Sequence, residues 1–591
     1  MRRTASALTI AAVWLAAAAD VAAEPPLTLV TASYFGTAGD DDLQGAAVAP
    51  DGTLYLVGNA GAPAGKLPGG VEPATFGRPA AAPKCGRGFV AHLSADGTKL
   101  LHYAELAEGI AILTSVQVNA NGVYASGYAA AALEPLLENI PGLLRQYPLA
   151  EDVRLVEEGK IAEANAIKDG KDPLAGRPGL GRYGAPCVLR FSKDLRKFEC
   201  GTYLEGWQQV WDKLRIMSKL KKQFPVEYSW QPTHLALLRG GDVLVCHDGG
   251  YFRHVTDKDR EQTAGNAESL RRLAFYDVCD HLSRLSPDLS KRAYRKEIYT
   301  PAVDQPTAAR LKDGWPHPHY GSPRTLRMRL DAKENAYLCG WSASATSREP
   351  YWSPYIWQMD PRDGSLIRKV RETDPMSGKD NRMGGAVADA AIGALAIEED
   401  GNLVFGRYSD GGYSGVIHFS GSIRRVDMRT LEETGMARTV PCVWTVDLAA
   451  LPGGNLLALG RCNDKVDWTP DAWQQGDPDE NPEGWLRVYG PKLDLRFSTA
   501  LRGIVPYELV PIGDRRWVIV GQAFHTTAAV SSALQEKPRG KRDGYFLIVE
   551  AAKSKPQSAA GAVRGSVPLA VAPAVVSAIA PVSVQQGRRP E

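Results

Sequence analysis

Hydrophobic residues along this chain recur in short runs that follow a tight polar turn and end near a glycine. The first run, residues 51–58, reads Asp-Gly-Thr-Leu-Tyr-Leu-Val-Gly. Runs of this length, rich in Val, Leu and Tyr and bounded by Gly, Asn or Asp, are typical of β-strands. Seven copies of one all-strand unit predict a repeat architecture, most simply a β-propeller. The other six copies are residues 121–127, 241–247, 334–340, 400–406, 453–460 and 514–521.

A second element separates these signature strands, and it is a hairpin of two hydrophobic runs joined by a polar turn. Each repeat therefore holds about four strands, the usual content of a propeller blade. The last hairpin begins at residues 544–549 and lacks its second half, whereas residues 27–35 supply an extra strand. We predict seven blades, with a closing blade shared by both ends and no open sheet edge. The predicted hairpins are residues 88–101, 187–198, 279–294, 355–367, 416–431 and 485–497.

The opening repeat carries the features of a known family. Residues 31–41 read Thr-Ala-Ser-Tyr-Phe-Gly-Thr-Ala-Gly-Asp-Asp, and residues 45–58 contain Gly-Ala-Ala-Val-Ala before the first signature strand. This resembles the SBBP-type β-propeller repeat of exported bacterial proteins, which has an S-T-Y-x-G-G opening, an acidic pair and a G-N-x-Y-V-T-G strand. The resemblance is close in the first repeat and partial in the others. It implies a seven-bladed secreted propeller and carries over no catalytic residues.

The N-terminal residues 1–23 combine a basic start, an apolar run too short to cross a bilayer, and small residues at Val21 and Ala23. These features are typical of a secretory signal peptide. We expect cleavage after Ala23 and a secreted or periplasmic mature chain without a transmembrane segment. A retained membrane anchor is the alternative.

The C-terminal residues 554–591 form a tract rich in Ala, Pro, Val and Ser. Repeated prolines remove helix hydrogen bonds, so we predict a disordered tail and a propeller that spans residues 24–553. Over the whole chain 69 basic residues oppose 67 acidic ones, which gives a formal net charge of +2. Because this balance provides no field that would attract nucleic acid, we expect no such partner. We also expect a monomer.

The strands of a blade alternate in direction, so tight turns and long connections are predicted on opposite faces of the ring. Loops gathered on one side of a rigid scaffold are where binding sites usually lie. Residues 129–186 and 204–231 have apolar residues at helical spacing, which predicts short helical insertions. The segment 204–231 is predicted to be a basic amphipathic helix. It would bind an acidic partner or a membrane surface, or else pack on its own domain.

Eight cysteines in an exported chain favour disulfides. Residues equidistant from a hairpin turn face each other across the strands, where they can be bridged. Two pairs have this symmetry and are predicted to be disulfides, Cys187 with Cys200 and Cys442 with Cys462. The spacing predicts no partner for Cys85, Cys246, Cys279 and Cys339.

Two short segments carry side chains that metal ions prefer. His317 and His319 lie two residues apart in a Pro-rich loop and could ligate zinc or copper. Asp40 and Asp41 could bind a hard cation such as calcium. Neither segment has a full ligand set at a fixed spacing, so a plain loop and a turn-capping aspartate are the alternatives. We expect no cofactor, with a bound divalent cation as the alternative.

Two predicted loops that follow signature strands share the sequence Asp-Gly-Gly-Tyr, at residues 248–251 and 410–413. An acid and an aromatic near the mouth of a ring suit a sugar, which stacks by its apolar face and hydrogen-bonds through its hydroxyls. Turn glycines and packing between blades explain the same pattern without a ligand. The candidate ligand-binding residues are Asp248, Tyr251, Asp410, Tyr413, Trp341 and Trp352.

The sequence indicates a function only in outline. It contains no Cys-x-x-Cys-His, Gly-x-Ser-x-Gly, His-Glu-x-x-His or P-loop motif, so no catalytic residue is identified. We expect an exported, non-catalytic binding or scaffold module that recognises a glycan or an envelope protein through its insertion-bearing face. The alternative is a polysaccharide hydrolase or lyase with carboxylates such as Asp248 and Asp410 at the mouth of the ring, since a glycosidase needs two carboxyl groups in one cleft.

Overall fold

The structure is a computed structural model that describes fifteen stretches of the chain within residues 27–552. Within these stretches the helical elements are two 3-10 turns, Pro68–Gly70 and Pro452–Gly454. No helix in this described part has the length and apolar character needed to cross a membrane. The described stretches are residues 27–77, 87–108, 111–129, 183–204, 208–209, 233–251, 277–298, 324–344, 351–372, 390–409, 420–439, 444–461, 467–475, 484–524 and 530–552.

The described residues form thirty β-strands in seven sheets, which are the blades. The strands of blade 1 are β2 (Asp42–Val48), β3 (Leu54–Ala60), β4 (Ala74–Phe76), β5 (Arg87–Leu93) and β6 (Leu100–Leu106). The strands of blade 2 are β7 (Ala111–Asn119), β8 (Gly122–Ala129), β9 (Tyr183–Phe191), β10 (Phe198–Tyr203) and β11 (Gln208–Gln209). The strands of blade 3 are β12 (His234–Leu237), β13 (Val243–Tyr251), β14 (Asp277–Leu285) and β15 (Arg292–Glu297).

The remaining four blades have four strands each. The strands of blade 4 are β16 (Arg324–Leu330), β17 (Ala336–Ser344), β18 (Tyr351–Met359) and β19 (Leu366–Glu372). The strands of blade 5 are β20 (Ala390–Ile397), β21 (Leu403–Ser409), β22 (Ser420–Val426) and β23 (Glu433–Thr439). The strands of blade 6 are β24 (Trp444–Leu451), β25 (Asn455–Arg461), β26 (Gly484–Tyr489) and β27 (Leu495–Leu501). The strands of blade 7 are β28 (Ile504–Ile512), β29 (Arg516–Ala523), β30 (Asp543–Ala551) and β1 (Leu27–Phe35).

The seven signature strands are the second strands of the seven blades, β3, β8, β13, β17, β21, β25 and β29. They read as unbroken hydrophobic runs because both faces of each blade are covered by neighbours. In β3, Tyr55 and Val57 pack with blade 2, whereas Leu54 and Leu56 pack with blade 7. The chain therefore forms an all-β, seven-bladed propeller.

Blade 7 contains strands from both ends of the described chain, in the order β1-β30-β29-β28. The antiparallel register pairs Tyr34 with Tyr545 and Leu27 with Ala551, so the predicted pairing of residues 27–35 with residues 544–549 is present. The rings of Tyr34 and Tyr545 pack edge to face, with centroids 5.5 Å apart. The sequence thus identified the partner of the last hydrophobic run.

The alternating strand directions give the propeller two faces. The turn face carries the short connections that follow the first and third strands of a blade, such as residues 49–53 and 94–99. The loop face carries the connections at the opposite strand ends, such as residues 36–41 and 61–73. The connection between β29 and β30 of blade 7 also lies on the loop face.

Two predicted elements differ from those in the described residues, the hairpin at residues 416–431 and the helical insertions. The predicted hairpin at residues 416–431 is displaced, because its second strand, β23, begins only at Glu433. Of the predicted helical insertions at residues 129–186 and 204–231, the described parts are strands, and β11 pairs with β9. The other insertion residues, the signal peptide at residues 1–23 and the tail at residues 554–591 lie outside the described residues.

The predicted disulfide between Cys187 and Cys200 is wrong, since both residues are free, buried thiols. Cys187 is opposite Tyr203, and Cys200 is opposite Arg190. The turn is centred later than the symmetry argument assumed, and a register shift between Phe198 and Cys200 adds to the offset. The two thiols consequently belong to different hydrophobic clusters, Cys187 with blade 1 and Cys200 with blade 3. The other predicted pair, Cys442 and Cys462, lies outside the described residues.

Candidate functional site

The four described residues predicted to form a sugar site lie in two different blades. Asp248 and Tyr251 are not in a loop, because the backbone of β13 continues through both and pairs them with Asp280 and Asp277. Trp341 lies on β17 of blade 4, opposite Pro354 of β18. Trp352 lies on β18, opposite Ala343. Two further sugar-site candidates and the two candidate metal-binding histidines lie outside the described residues, namely Asp410, Tyr413, His317 and His319.

The acidic run after β1, residues 40–42, places the carboxylates of Asp40 and Asp41 in different environments. Asp40 is exposed, whereas Asp41 is buried. The Asp41 carboxylate accepts hydrogen bonds from the Thr37 amide, from the Thr37 hydroxyl at 2.9 Å and from the Gly61 amide at 2.9 Å. These are the contacts of a turn-capping aspartate. The part of the chain that the structure describes contains no cluster of three or more His, Cys, Asp or Glu residues suited to a metal ion.

A second buried carboxylate, Asp543 at the start of β30, lies beside Asp41. A Cβ atom on Gly36 would lie 2.6 Å from Asp41 Oδ2 and 3.0 Å from Asp543 Cγ, so both side chains converge on this glycine. Asp543 accepts hydrogen bonds from the Arg539 amide at 2.7 Å and the Gly540 amide at 2.9 Å. Burial raises the pKa of Asp41 to about 7, and it also raises the pKa of Asp543.

A groove of about 570 Å³ opens beside this carboxylate pair, between blade 1 and blade 7. It is lined by Thr37 and Ala38 after β1, by Pro63 and residues 65–70 after β3, and by Arg539 before β30. The Arg539 guanidinium donates a hydrogen bond of 2.9 Å from Nη1 to the Lys66 carbonyl, which links the two walls. We call this feature the basic groove, because Lys66 and Arg539 are its two charged lining residues.

The wall from blade 7 belongs to a basic segment, residues 537–542, which reads Lys-Pro-Arg-Gly-Lys-Arg. The Arg542 carbonyl accepts a hydrogen bond of 2.8 Å from the Asp41 amide, and the Arg542 guanidinium lies 5.3 Å from the centroid of the Phe524 ring. These contacts fix the segment against the end of β1. The sequence prediction missed this segment, although the run of four cations in six residues was the signal that could have found it.

A second polar region lies at the centre of the propeller, among the first strands of the blades. The Nη2 atom of Arg329 on β16 donates hydrogen bonds of 2.7 Å and 2.8 Å to the two carboxylate oxygens of Asp447 on β24. The Asp447 carboxylate also accepts a hydrogen bond of 3.0 Å from the Leu509 amide of β28. Blades 4 and 6 are not neighbours in the ring, so this ion pair spans its centre.

Arg327 extends the same cluster. Its Nη2 donates hydrogen bonds to the Val446 carbonyl at 2.7 Å and to the Tyr507 carbonyl at 3.2 Å, and its Nη1 lies 3.8 Å from Glu508 Oε1. Glu508 Oε2 accepts a hydrogen bond of 3.1 Å from the Ala46 amide of blade 1. Burial raises the pKa of Glu508, although the arginines oppose that effect. The central cluster thus connects four blades through groups that are already paired, which suits a structural brace.

Comparisons with known proteins found matches among solved structures alone. No family model matches the chain, and no curated protein matches it. A protein of unknown function from Dyadobacter fermentans is 10% identical, with a TM-score of 0.38, and the match covers 89% of this chain and 100% of that one. The Dos1 propeller is 8% identical, with a TM-score of 0.33 and coverages of 88% and 94%. The β-propeller domain of the Trilobed protease from Pyrococcus furiosus is also 8% identical, with a TM-score of 0.33 and coverages of 84% and 90%.

Proposed function

We propose that this chain is an exported, non-catalytic propeller of the SBBP type that binds a glycan or an envelope protein through its loop face. In this proposal the mature chain is a secreted or periplasmic monomer, and its ring is closed by the blade that contains β1 and β30. The observation that carries the proposal is the basic groove. It is concave, it lies on the loop face, and its volume of about 570 Å³ is within the usual range for ligand sites.

The turn face is the weaker candidate for binding, because its polar groups are used between blades. Tyr55 donates a hydrogen bond of 2.9 Å to the Lys193 carbonyl, and Arg190 donates one of 2.8 Å to the Pro287 carbonyl. A partner on this face would compete with contacts that hold neighbouring blades together. On the loop face the Lys66 side chain is exposed, and the contact of Arg539 with the Lys66 carbonyl uses one nitrogen, Nη1, of its guanidinium.

A polysaccharide hydrolase is the alternative function, and it needs two carboxyl groups that reach a bound sugar. Asp41 and Asp543 are close together and have raised pKa values, as a catalytic acid often does. Both are buried, however, and both accept hydrogen bonds from backbone amides, Asp41 from Gly61 and Asp543 from Gly540. Neither lines the basic groove. We therefore favour binding without turnover.

The experiment that tests this proposal is hydrogen exchange of the purified mature chain in the presence of ligands selected on a glycan array. Binding should slow amide exchange in the loop-face segments, residues 36–41, 61–73 and 530–542. The turn-face segments, residues 49–53, 94–99 and 192–197, serve as the internal control. Protection confined to the turn face would contradict the assignment of the binding face, and hydrolysis of any bound polysaccharide would contradict the non-catalytic assignment.

A further inference from the structure

We infer that the basic groove binds a sugar chain that carries carboxylate groups, an inference that rests on the proposed binding function. Both cationic lining residues, Lys66 and Arg539, are exposed. Among the described residues, no carboxylate lies within ion-pairing distance of the Lys66 ammonium or the Arg539 guanidinium. Two exposed cations on facing walls of one groove favour an anionic ligand.

The Arg539 side chain is held in place before a ligand arrives. Its Nη1 donates to the Lys66 carbonyl at 2.9 Å, and its backbone amide donates to Asp543 at 2.7 Å. A guanidinium has five N–H donors in a planar fork that matches a carboxylate. Because the fork is already oriented by the Lys66 carbonyl, less side-chain entropy is lost when a carboxylate binds.

The rest of the lining distinguishes a sugar from other anions. Pro63, Leu67 and Pro68 give the groove apolar surface, which suits the C–H faces of sugar rings and would be unused by a small inorganic anion. A Cβ atom on Gly65 or Gly69 would meet no atom within 4 Å, so the backbone is open to close approach there.

The two carboxylates beside the groove do not oppose this ligand. Asp41 accepts hydrogen bonds from Thr37 and Gly61, and Asp543 accepts them from Arg539 and Gly540. Backbone amides therefore compensate the charge that these carboxylates carry. Burial favours their protonated forms, which further reduces repulsion of an anionic sugar.

The test is calorimetric titration of the full mature chain with a short oligogalacturonate, with a neutral cello-oligosaccharide of equal length, and with inorganic phosphate alone. We expect saturable binding of the oligogalacturonate that weakens as salt is added. Lys66→Gln and Arg539→Gln should each weaken it about tenfold, since each removes one charge-assisted contact. The double variant Lys99→Gln/Lys193→Gln removes two exposed cations from the turn face and should leave the affinity unchanged.

Three results would overturn the inference. These are equal binding of the neutral oligosaccharide, unchanged affinity in the Lys66→Gln/Arg539→Gln double variant with its thermal unfolding unaltered, or inorganic phosphate binding as tightly as the oligogalacturonate. The last result would assign the groove to a free anion. If another glycan or a protein protects the loop face while oligogalacturonate does not bind, this inference fails and the proposed function stands. If nothing protects the loop face, the proposed function fails as well.

Discussion

The Tyr124 hydroxyl of blade 2 donates a hydrogen bond of 2.7 Å to the Pro287 carbonyl in the hairpin turn of blade 3. The relationship recurs around the turn face. Tyr294 of blade 3 donates to the Pro361 carbonyl of blade 4 at 2.9 Å, and Thr31 of blade 7 donates to the Asp96 carbonyl of blade 1 at 2.7 Å. A side chain of one blade thus binds the turn of the next, which stabilises the contacts between sheets that share no strand hydrogen bonds.

Replacing Tyr124 by Phe should lower the free energy of unfolding by about 1 kcal/mol, the usual net value of one hydrogen bond. The loss stays modest because the Pro287 carbonyl keeps a second donor, Arg190 Nη1, at 2.8 Å. The matched control is Tyr103→Phe, since the buried Tyr103 hydroxyl has no hydrogen-bond partner among the described residues. In urea denaturation, Tyr103→Phe should leave the free energy of unfolding unchanged or raise it. Equal destabilisation by both variants would contradict a specific role for the contact between blades.

Replacing Asp447 by Asn should destabilise the protein by about 3–5 kcal/mol, because Arg329 and Arg327 would keep their charges in the interior without the carboxylate. Asp447 is fully buried, so solvent cannot compensate. The control is Asp494→Asn, which breaks the exposed ion pair with Arg496 and should leave stability almost unchanged. Thermal unfolding of both variants measures the difference, and similar midpoints would show that the central cluster is not a brace.

The pKa of Asp41 should make stability depend on pH. Its folded-state pKa of about 7 exceeds the ordinary value of 3.8, so the folded chain binds this proton more tightly than the unfolded chain does. By linkage, the contribution of Asp41 to the free energy of unfolding is fully present below about pH 4 and is lost as pH rises through about 7. Asp41→Asn removes this dependence.

The measurement compares the free energies of unfolding of wild type and variant across this pH range. Burial lowers the pKa of His92 to about 4, which acts in the opposite direction, so the difference between the two proteins is more informative than either curve. The control is Asp96→Asn. Hydrogen bonds, of which that from Ser94 has the largest effect, lower the pKa of Asp96. The difference in the free energy of unfolding between wild type and this variant should therefore stay constant above about pH 4. If the difference in the free energy of unfolding between wild type and Asp41→Asn does not change with pH, the raised pKa of Asp41 is refuted.

The thiols of Cys187 and Cys200 should resist alkylation until the protein unfolds. Burial raises the pKa of Cys187 to about 12 and that of Cys200 to about 11, so little of the reactive thiolate forms near neutral pH. Pulsed alkylation with and without urea, followed by peptide mass spectrometry, measures this. A peptide that links the two cysteines under non-reducing conditions would contradict the structure. The same map tests the disulfide that remains predicted between Cys442 and Cys462.

The number of blades and the position of each second strand follow from the sequence alone. A blade is covered on both faces, so its second strand must be hydrophobic at consecutive positions, and this requirement is visible locally in all seven copies. The pairing of β1 with β30 was also predictable, because the last hairpin lacked its second strand and residues 27–35 were an extra strand. These features depend on residues that are close together in the sequence, or on counting strands.

Register and sites were decided by tertiary structure. Leu195 adopts a φ of 55° in the turn that follows β9, and it does so because its side chain is buried against blade 1. That turn and the register shift between Phe198 and Cys200 displace Cys200 from Cys187. Arg539 meets the Lys66 carbonyl across 473 residues, and Arg329 meets Asp447 across 118. Such pairs form only when the blades are arranged in a ring. The sequence shows where each charged residue is, but it does not show which distant residue lies beside it in the folded chain.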